Sequence, residues 1–331
     1  MTVRAWAMGL AVTAGTLVPL TAATPAAAQT PQFAYITNYD ADTVSVGDVA
    51  TLLVVDTIHV GDGPKDVAIS PDGKRVYVTN HHSNDVSVID TATDRVVATV
   101  RVGEQPEGVA VSPDGKRVYV ANERSGSVSV IKTSTNRVVD TIGVGKAPHG
   151  VAVGPDGRRV YVANSGSNSV SVISTRTDEV TATVRVGKKP EDVAVGPDGA
   201  LGAYVTNAGS DTVSVIDTRT NRVTRTIGVG DNPQGVLVLP DGTRVYVTNA
   251  GSDTVSAIDT RTHRVIDTIG VGDFPVGIAS TPDSLHLCVN NAHSDNISII
   301  DTRSNTVTNT VEDDSFDRPV GVTIGDVPTR R

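Results

Sequence analysis

The residues best suited to chemistry in this chain of 331 residues are two carboxylates and an imidazole that recur at a fixed spacing. Glu107, His149 and Glu191 each follow a proline, and neighbouring members of the set stand 42 residues apart. Two carboxylates and an imidazole can bind a divalent metal ion or carry out general acid/base catalysis. We therefore treat these three as the candidate catalytic residues and the candidate metal ligands. The alternative is that they are hydrated residues that only pair with Lys65 or Lys189.

This spacing belongs to a repeat that runs through most of the chain. The tetrapeptide Tyr77-Val78-Thr79-Asn80 has six further copies, of which the last, Cys288 to Asn291, is degenerate. The asparagine that ends each copy recurs every 42 residues, with one step of 43. A fixed period of this length indicates a repeat architecture. The seven asparagines are Asn38, Asn80, Asn122, Asn164, Asn207, Asn249 and Asn291.

Each repeat unit contains four short segments with the alternation or the β-branched residues typical of strands. The first two segments are separated by Ser70-Pro71-Asp72-Gly73 in the second unit, which has the residue preferences of a type I turn. Four antiparallel strands per unit of this length are typical of a propeller blade. The sequence therefore predicts an all-β fold, a seven-bladed β-propeller. The four segments of the second unit are Asp66 to Ser70, Arg75 to Thr79, Val86 to Ile89 and Val96 to Val102.

The two ends of the repeat array predict how the ring closes. The segment Pro319 to Ile324 has the pattern of a first strand but is not followed by the other three, which stand at the other end of the chain and begin at Phe33. We expect the C-terminal strand to complete the first blade, because this pairing leaves no open edge in the ring. Residues 29–331 are thereby predicted to form one domain.

Three features together resemble the YVTN family of bacterial and archaeal β-propeller repeats. They are the repeated Tyr-Val-Thr/Ala-Asn, the Ser/Gly-Pro-Asp-Gly turn and the Val-Gly-x-x-Pro segment that leads into each unit, and they cover about residues 33 to 324. The resemblance implies the propeller fold and, usually, an exported protein. Members of the family include surface-layer components and periplasmic binding proteins, and related propellers include lactonases, a streptogramin lyase and subunits of redox enzymes. The repeated residues form turns and core, so the resemblance specifies no single activity.

The first 28 residues have the pattern of a secretory signal peptide. Arg4 precedes an apolar stretch from Ala5 to Leu20, and Ala26-Ala27-Ala28 offers a cleavage site with small residues. We expect cleavage after about Ala28 and a secreted, extracellular or periplasmic protein with no membrane span. Since Cys288 is the only cysteine, no internal disulfide can form.

One face of the propeller is predicted to be acidic. In an antiparallel blade, the turn between the first and second strands and the turn between the third and fourth strands lie on one face. The other two connections, which vary more in sequence, lie on the opposite face. An acidic face attracts cations or basic partners and disfavours nucleic acid, as does the overall balance of 37 acidic and 28 basic residues. The alternative interpretation is a solvated rim that maintains solubility. The acidic residues include Asp40, Asp42, Asp66, Glu104, Glu107, Glu123, Glu191, Asp192 and Asp231.

The residue after each lead-in proline begins the innermost strand and is predicted to lie at the mouth of the central channel. The first five residues of this set are polar, and we predict that they bind the ligand. His81, His82 and His293 are expected in surface loops away from His149, and Cys288 is expected to be a small buried residue. The set is Lys65, Glu107, His149, Glu191, Gln234, Val276 and Val320.

These observations leave the function open between two main hypotheses. The first is a monomeric binding or interaction module that presents the acidic face and the polar channel mouth to a small molecule or a protein partner. The second is a small-molecule hydrolase or lyase, similar to the lactonases, in which His149 is the acid/base while Glu107 and Glu191 position a metal ion or a water molecule. A structural role in the cell envelope is a third hypothesis, without an anchor or sorting signal to favour it. A divalent metal ion is the one cofactor that the sequence suggests.

Overall fold

The computed structural model describes residues 30–197 and 202–328, so the predicted signal peptide lies outside the described residues. In this part of the chain, 28 strands form seven four-stranded antiparallel sheets. The inner strands of neighbouring sheets contact one another around a closed ring. The seven-bladed, all-β propeller is therefore confirmed. A single turn of 3-10 helix, Ser165–Ser167, is the one helical element among the described residues, and none of them belongs to a helix that could cross a bilayer.

The blades are numbered in chain order, with the inner strand first. Blade 1 contains β28 (Pro319–Asp326), β1 (Gln32–Asn38), β2 (Thr43–Asp48) and β3 (Leu53–His59). Blade 2 contains β4 (Pro64–Ile69), β5 (Arg75–Asn80), β6 (Asp85–Asp90) and β7 (Arg95–Arg101). Blade 3 contains β8 (Pro106–Val111), β9 (Arg117–Asn122), β10 (Ser127–Lys132) and β11 (Arg137–Gly143). Blade 4 contains β12 (Pro148–Val153), β13 (Arg159–Asn164), β14 (Ser169–Ser174) and β15 (Glu179–Arg185).

The remaining three blades follow the same order. Blade 5 contains β16 (Pro190–Val195), β17 (Ala203–Asn207), β18 (Thr212–Asp217) and β19 (Arg222–Gly228). Blade 6 contains β20 (Pro233–Val238), β21 (Arg244–Asn249), β22 (Thr254–Asp259) and β23 (Arg264–Gly270). Blade 7 contains β24 (Pro275–Ser280), β25 (His286–Asn291), β26 (Asn296–Asp301) and β27 (Thr306–Glu312).

The ring closes through the C-terminal strand. β28 pairs antiparallel with β1, and Ala34 lies opposite Ile324 while Tyr35 lies opposite Thr323. The predicted closure is therefore confirmed, and the first blade is built from both ends of the described chain.

Neighbouring blades pack through the tyrosine of the repeated tetrapeptide. Tyr35 of blade 1 packs with Ile89 of blade 2, and Tyr246 of blade 6 packs with Leu287 and Ile300 of blade 7. Burying side chains of this size stabilises a fold by about 1.5–3 kcal/mol each. Because these contacts join different blades, an isolated blade would lose them. Six tyrosines are fully buried in this way: Tyr35, Tyr77, Tyr119, Tyr161, Tyr204 and Tyr246.

The asparagine of the tetrapeptide fixes the lead-in segment of its own blade. Nδ2 of Asn122 donates to Oγ of Ser129 at 3.0 Å, and Oδ1 of Asn122 accepts the backbone N–H of Gly103 at 3.1 Å. Asn164 accepts the N–H of Gly145 in the same way at 3.1 Å. The lead-in residue must be glycine, because a Cβ atom at Gly145 would lie 2.5 Å from Cγ of Asn164.

Two half-buried carboxylates connect neighbouring inner strands. Asp192 accepts the backbone N–H groups of Val193 at 2.7 Å and of Val236, in the next blade, at 3.1 Å. Asp66 bridges blades 2 and 3 in the same manner through Val109. Burial raises the pKa of Asp66 to about 6 and the pKa of Asp192 to about 7, although the backbone hydrogen bonds oppose this shift.

The close contact between the lead-in glycine and the asparagine predicts that adding one methyl group at this glycine destabilises the protein. We expect Gly145→Ala to destabilise the protein by about 1–3 kcal/mol, because the new Cβ must displace Asn164. The matched control is Gly143→Ala, since a Cβ atom there meets nothing within 4 Å, and its effect should stay within about 0.5 kcal/mol. Urea unfolding of the two variants measures the difference, and equal midpoints would contradict the proposed role of the contact.

The raised pKa values of these two carboxylates predict a pH dependence of stability. Because the pKa of Asp192 is higher in the folded protein than in the unfolded chain, its contribution to stability is greatest below about pH 4 and is lost as the pH rises through about 7. We expect Asp192→Asn to remove a decline of roughly 3–4 kcal/mol in the free energy of unfolding between pH 4 and pH 8. Urea unfolding across this range measures it, with the exposed Asp140→Asn as control. An unchanged slope in Asp192→Asn would refute the assignment.

Candidate functional site

The channel mouth is a cavity of about 210 Å³ on the axis of the propeller. Each inner strand begins at a lead-in proline, so the next residue of each blade points toward the axis at the same height. All seven residues predicted from this pattern line the cavity, and we call them the mouth ring. The polar members lie on blades 2 to 6, and the two apolar members, Val276 and Val320, lie on blades 7 and 1.

A second set of residues lies above the mouth ring, and we call it the loop ring. Each member directly follows the repeated asparagine, and its backbone N–H donates to a carbonyl of the lead-in segment, as His81 does to Gly63 at 2.9 Å and Glu123 to Gln105 at 2.8 Å. This hydrogen bond holds the loop residue beside the mouth. In the order of the blades, the loop ring is Tyr39, His81, Glu123, Ser165, Ala208, Ala250 and Ala292.

Residues of the loop ring pair with residues of the mouth ring. Large or polar residues of the loop ring lie on blades 1 to 4, and each contacts the mouth-ring residue of the following blade. Nζ of Lys65 lies 5.1 Å from the centre of the Tyr39 ring, a cation–π contact, and Oγ of Ser165 donates to Glu191 at 3.3 Å. The four pairs are Tyr39 with Lys65, His81 with Glu107, Glu123 with His149, and Ser165 with Glu191.

His149 is held between two carboxylates. Its Nδ1 lies 2.7 Å from Oε2 of Glu191, and its Nε2 lies 3.7 Å from Oε1 of Glu123. Burial alone would lower the pKa of His149, but the two carboxylates outweigh it and raise the pKa to about 10. At neutral pH the ring is an imidazolium, which has no lone pair to offer a metal ion and cannot serve as a general base.

A different set of three side chains converges at the mouth. The potential ligand atoms of His81, Glu107 and Glu123 all lie within 4.8 Å of one another, and no other such group occurs in residues 30–197 and 202–328. His81 is only 8% exposed, and its Nδ1 lies 2.8 Å from Oε1 of Glu107 without forming an aligned hydrogen bond. This donor set of one imidazole and two carboxylates fits a divalent metal ion.

The carboxylates of this set are charged. Burial alone would raise the pKa of Glu107, but His81 and Lys65 outweigh it and hold the pKa below its ordinary value. The contact with His149 lowers the pKa of Glu123. Nζ of Lys65 lies 3.5 Å from Oε2 of Glu107, so the mouth contains a network of alternating charges across blades 2 to 5.

The structure thus brings Glu107, His149 and Glu191 to one cavity, as predicted, but it adds two residues that the sequence analysis did not place there. The expected surface position of His81 was wrong, because its backbone hydrogen bond turns it inward over Glu107. His82 and His293 are exposed, and Cys288 is buried, as expected. Glu123 was assigned only to the acidic face. The variation directly after the repeated asparagine was the signal that could have identified both residues.

Solved structures share the fold. A chain of the hydrazine synthase of Kuenenia stuttgartiensis is 29% identical, with a TM-score of 0.67, over 73% of this chain and 78% of that one. A functionally unknown protein of Desulfotomaculum acetoxidans is 19% identical, with a TM-score of 0.79, over 89% and 99%. A putative 6-phosphogluconolactonase of Bacteroides fragilis is 20% identical, with a TM-score of 0.77, over 92% and 100%.

No curated protein matches the chain significantly. The sequence model of a family described as YNCE-like beta-propeller matches residues 21–117, 110–201 and 198–273, which together form most of the chain. This chain therefore belongs to the YNCE-like beta-propeller family.

Proposed function

We propose that this protein is a ligand-binding propeller whose channel mouth takes up a divalent cation. The observation that supports the proposal is the convergence of His81, Glu107 and Glu123 from two neighbouring blades and two kinds of element. His81 and Glu123 come from loops that the lead-in hydrogen bonds hold in place, and Glu107 comes from the inner strand β8. Three side chains held by separate parts of the scaffold can keep a fixed geometry.

The charge of the site favours a cation. In the described part of the chain, the three glutamates Glu107, Glu123 and Glu191 pair with two cations, Lys65 and His149, so carboxylate charge is in excess at the mouth. The imidazole favours Zn²⁺ over Ca²⁺ or Mg²⁺, which prefer oxygen ligands alone. Three protein ligands leave coordination positions for water or for a bound molecule. Through these open positions, a bound cation could coordinate an anionic group of a ligand or a partner at the acidic face.

A second candidate function is metal-assisted hydrolysis of a small molecule. It is favoured by one observation, which is that Glu107 belongs both to the converging set and to the lining of the cavity of about 210 Å³. A metal-bound water would therefore face a space that can hold a substrate. In this function His149 would stabilise negative charge as an imidazolium and would not act as the base, since its pKa is raised to about 10.

We also propose that the protein acts outside the cytoplasm. The proposal rests on the pattern of the first 28 residues, with Arg4, the apolar stretch and the alanines before Gln29. Expression in a secreting bacterial host followed by mass spectrometry of the exported protein tests it. We expect a mature chain that begins near Gln29, and a protein that stays in the cytoplasm with Met1 intact would contradict the proposal.

Metal ions should stabilise the protein through the three proposed ligands. At a free concentration one hundred times Kd, we expect Zn²⁺ to raise the free energy of unfolding by about 2.7 kcal/mol, because the ion binds only the native state. Thermal unfolding with each ion, together with calorimetric titration of one ion per chain, measures the effect. Mg²⁺ and Ca²⁺ should have a smaller effect.

Two matched variants make this test specific. Glu123→Gln keeps the shape of the side chain but removes a ligand, and it should abolish the stabilisation by the metal ion. Glu104→Gln changes an exposed glutamate of the same face and should leave the effect intact. If no ion shifts the midpoint, or if both variants respond as the wild type does, the proposed metal site is refuted. Hydrolysis of simple lactones that depends on the metal ion and is lost in Glu123→Gln would favour the second function.

A further inference from the structure

The seam between blades 7 and 1 contains an apolar pocket. The pocket has a volume of about 370 Å³. It is lined by the β2–β3 turn of blade 1, by Thr281 at the β24–β25 turn of blade 7 and, at the opposite end of the strands, by Phe316 in the segment that leads into β28. The seam pocket therefore runs between the two blades, and none of its lining residues belongs to the channel mouth or to the proposed cation site.

The neighbouring contact, between blades 6 and 7, shows what normally fills this space. The hydroxyl of Tyr246 donates to Oδ1 of Asn305 at 2.8 Å, and Nη1 of Arg244 donates to the same atom at 3.0 Å and to the carbonyl of Thr302. Ile300 packs beside the tyrosine. The contact between blades 1 and 2 is similar, since Tyr35 there donates to Asp94 at 3.4 Å and packs against Ile89.

At the seam, every one of these five positions holds a different type of residue. The tyrosine is replaced by Cys288 and the isoleucine by Gly47, so both large side chains are missing. The hydrogen-bonding partners are missing as well, because apolar residues take the places of the asparagine or aspartate and of the threonine. The seam residues are, in order, His286, Cys288, Gly47, Val49 and Leu52. They take the places that blades 6 and 7 fill, in the same order, with Arg244, Tyr246, Ile300, Thr302 and Asn305.

These replacements are consistent with a binding site and not with a loss of packing alone. A Cβ atom at Gly47 would meet its nearest neighbours at 3.9 Å, so the backbone has room for a side chain. The turn of blade 1 places apolar residues at the pocket where the other blades have polar ones, and Leu53 is 63% exposed at its edge. Solvent contact of this kind costs free energy that a bound apolar molecule would recover.

We propose that the seam pocket binds an uncharged, hydrocarbon-rich small molecule. A cavity of 150 Å³ is large enough for benzene, and ligand pockets begin at about 300 Å³, so the volume suits a molecule with two or three rings. Asp48 of the lining is held in the β2–β3 turn, where its Oδ1 accepts the N–H groups of Ala50 at 2.9 Å and Thr51 at 2.8 Å. Burial raises the pKa of Cys288 to about 12, so its thiol is neutral. His286 and Asn309 can hydrogen-bond to a single polar group of the ligand.

A fluorescent apolar probe tests the proposal. N-phenyl-1-naphthylamine is uncharged, has three rings and increases its emission in an apolar site. We expect one probe molecule to bind per chain. Gly47→Ile restores the residue type of the other blades and fills the pocket, so it should weaken binding by at least about tenfold while the protein stays folded. Gly143→Ile adds the same side chain at a site where a Cβ meets nothing within 4 Å, and it should leave binding unchanged.

A second variant localises the probe. Cys288→Tyr restores the residue type of the other six blades and fills the pocket from blade 7, so it should also weaken binding by at least about tenfold while the protein stays folded. The proposal is overturned if the probe does not bind, or if either Gly47→Ile or Cys288→Tyr binds it as tightly as the wild type. A dimer in sedimentation that Gly47→Ile abolishes would instead assign the pocket to a second copy of the chain and also overturn the proposal.

Discussion

A propeller blade cannot bury both of its faces alone, and the rest of this structure depends on the contact that one tyrosine makes with the next blade. Tyr35, Tyr77 and their four equivalents are fully buried against neighbouring sheets. This requirement explains why the repeated tetrapeptide is so uniform and why the ring closes with β28 beside β1. It also limits where the chain can vary without loss of stability. Variation is tolerated in the residues around the axis and in the loops above them, and one contact between blades departs from the rule.

The two variable regions have opposite chemistry and share no lining residue. At the channel mouth, residues of the loop ring and the mouth ring pair across neighbouring blades, so each ionic contact also joins two blades. His81, Glu107 and Glu123 meet there because rigid strands and lead-in hydrogen bonds hold them. At the seam, Cys288 and Gly47 remove the tyrosine contact and leave an apolar pocket. A cation and an uncharged apolar molecule could therefore bind to the same chain without competing for one site.

Much of the fold could be predicted from the sequence because the repeat is regular. The period predicted seven blades, and the incomplete first unit predicted the ring closure. The lead-in prolines predicted that the residue after each of them, such as Lys65 or Val320, lies near the axis. The contacts of individual side chains could not be predicted in the same way. His81 and Glu107 are on different blades, and their contact depends on how a loop turns over the next inner strand. Cys288 and Gly47 are far apart in sequence and become neighbours only through ring closure. Each departs visibly from the repeat, but only the structure shows that the two departures create one space.

The central claim is that the fold holds a cation at the channel mouth between His81, Glu107 and Glu123. Anomalous X-ray diffraction from crystals grown with Zn²⁺, measured on both sides of the zinc absorption edge, tests this claim most directly. The account predicts one strong anomalous peak about 2.0–2.3 Å from a nitrogen of His81 and from a carboxylate oxygen of each glutamate. The absence of a peak at the mouth, or a peak bound only by other residues, would contradict the account.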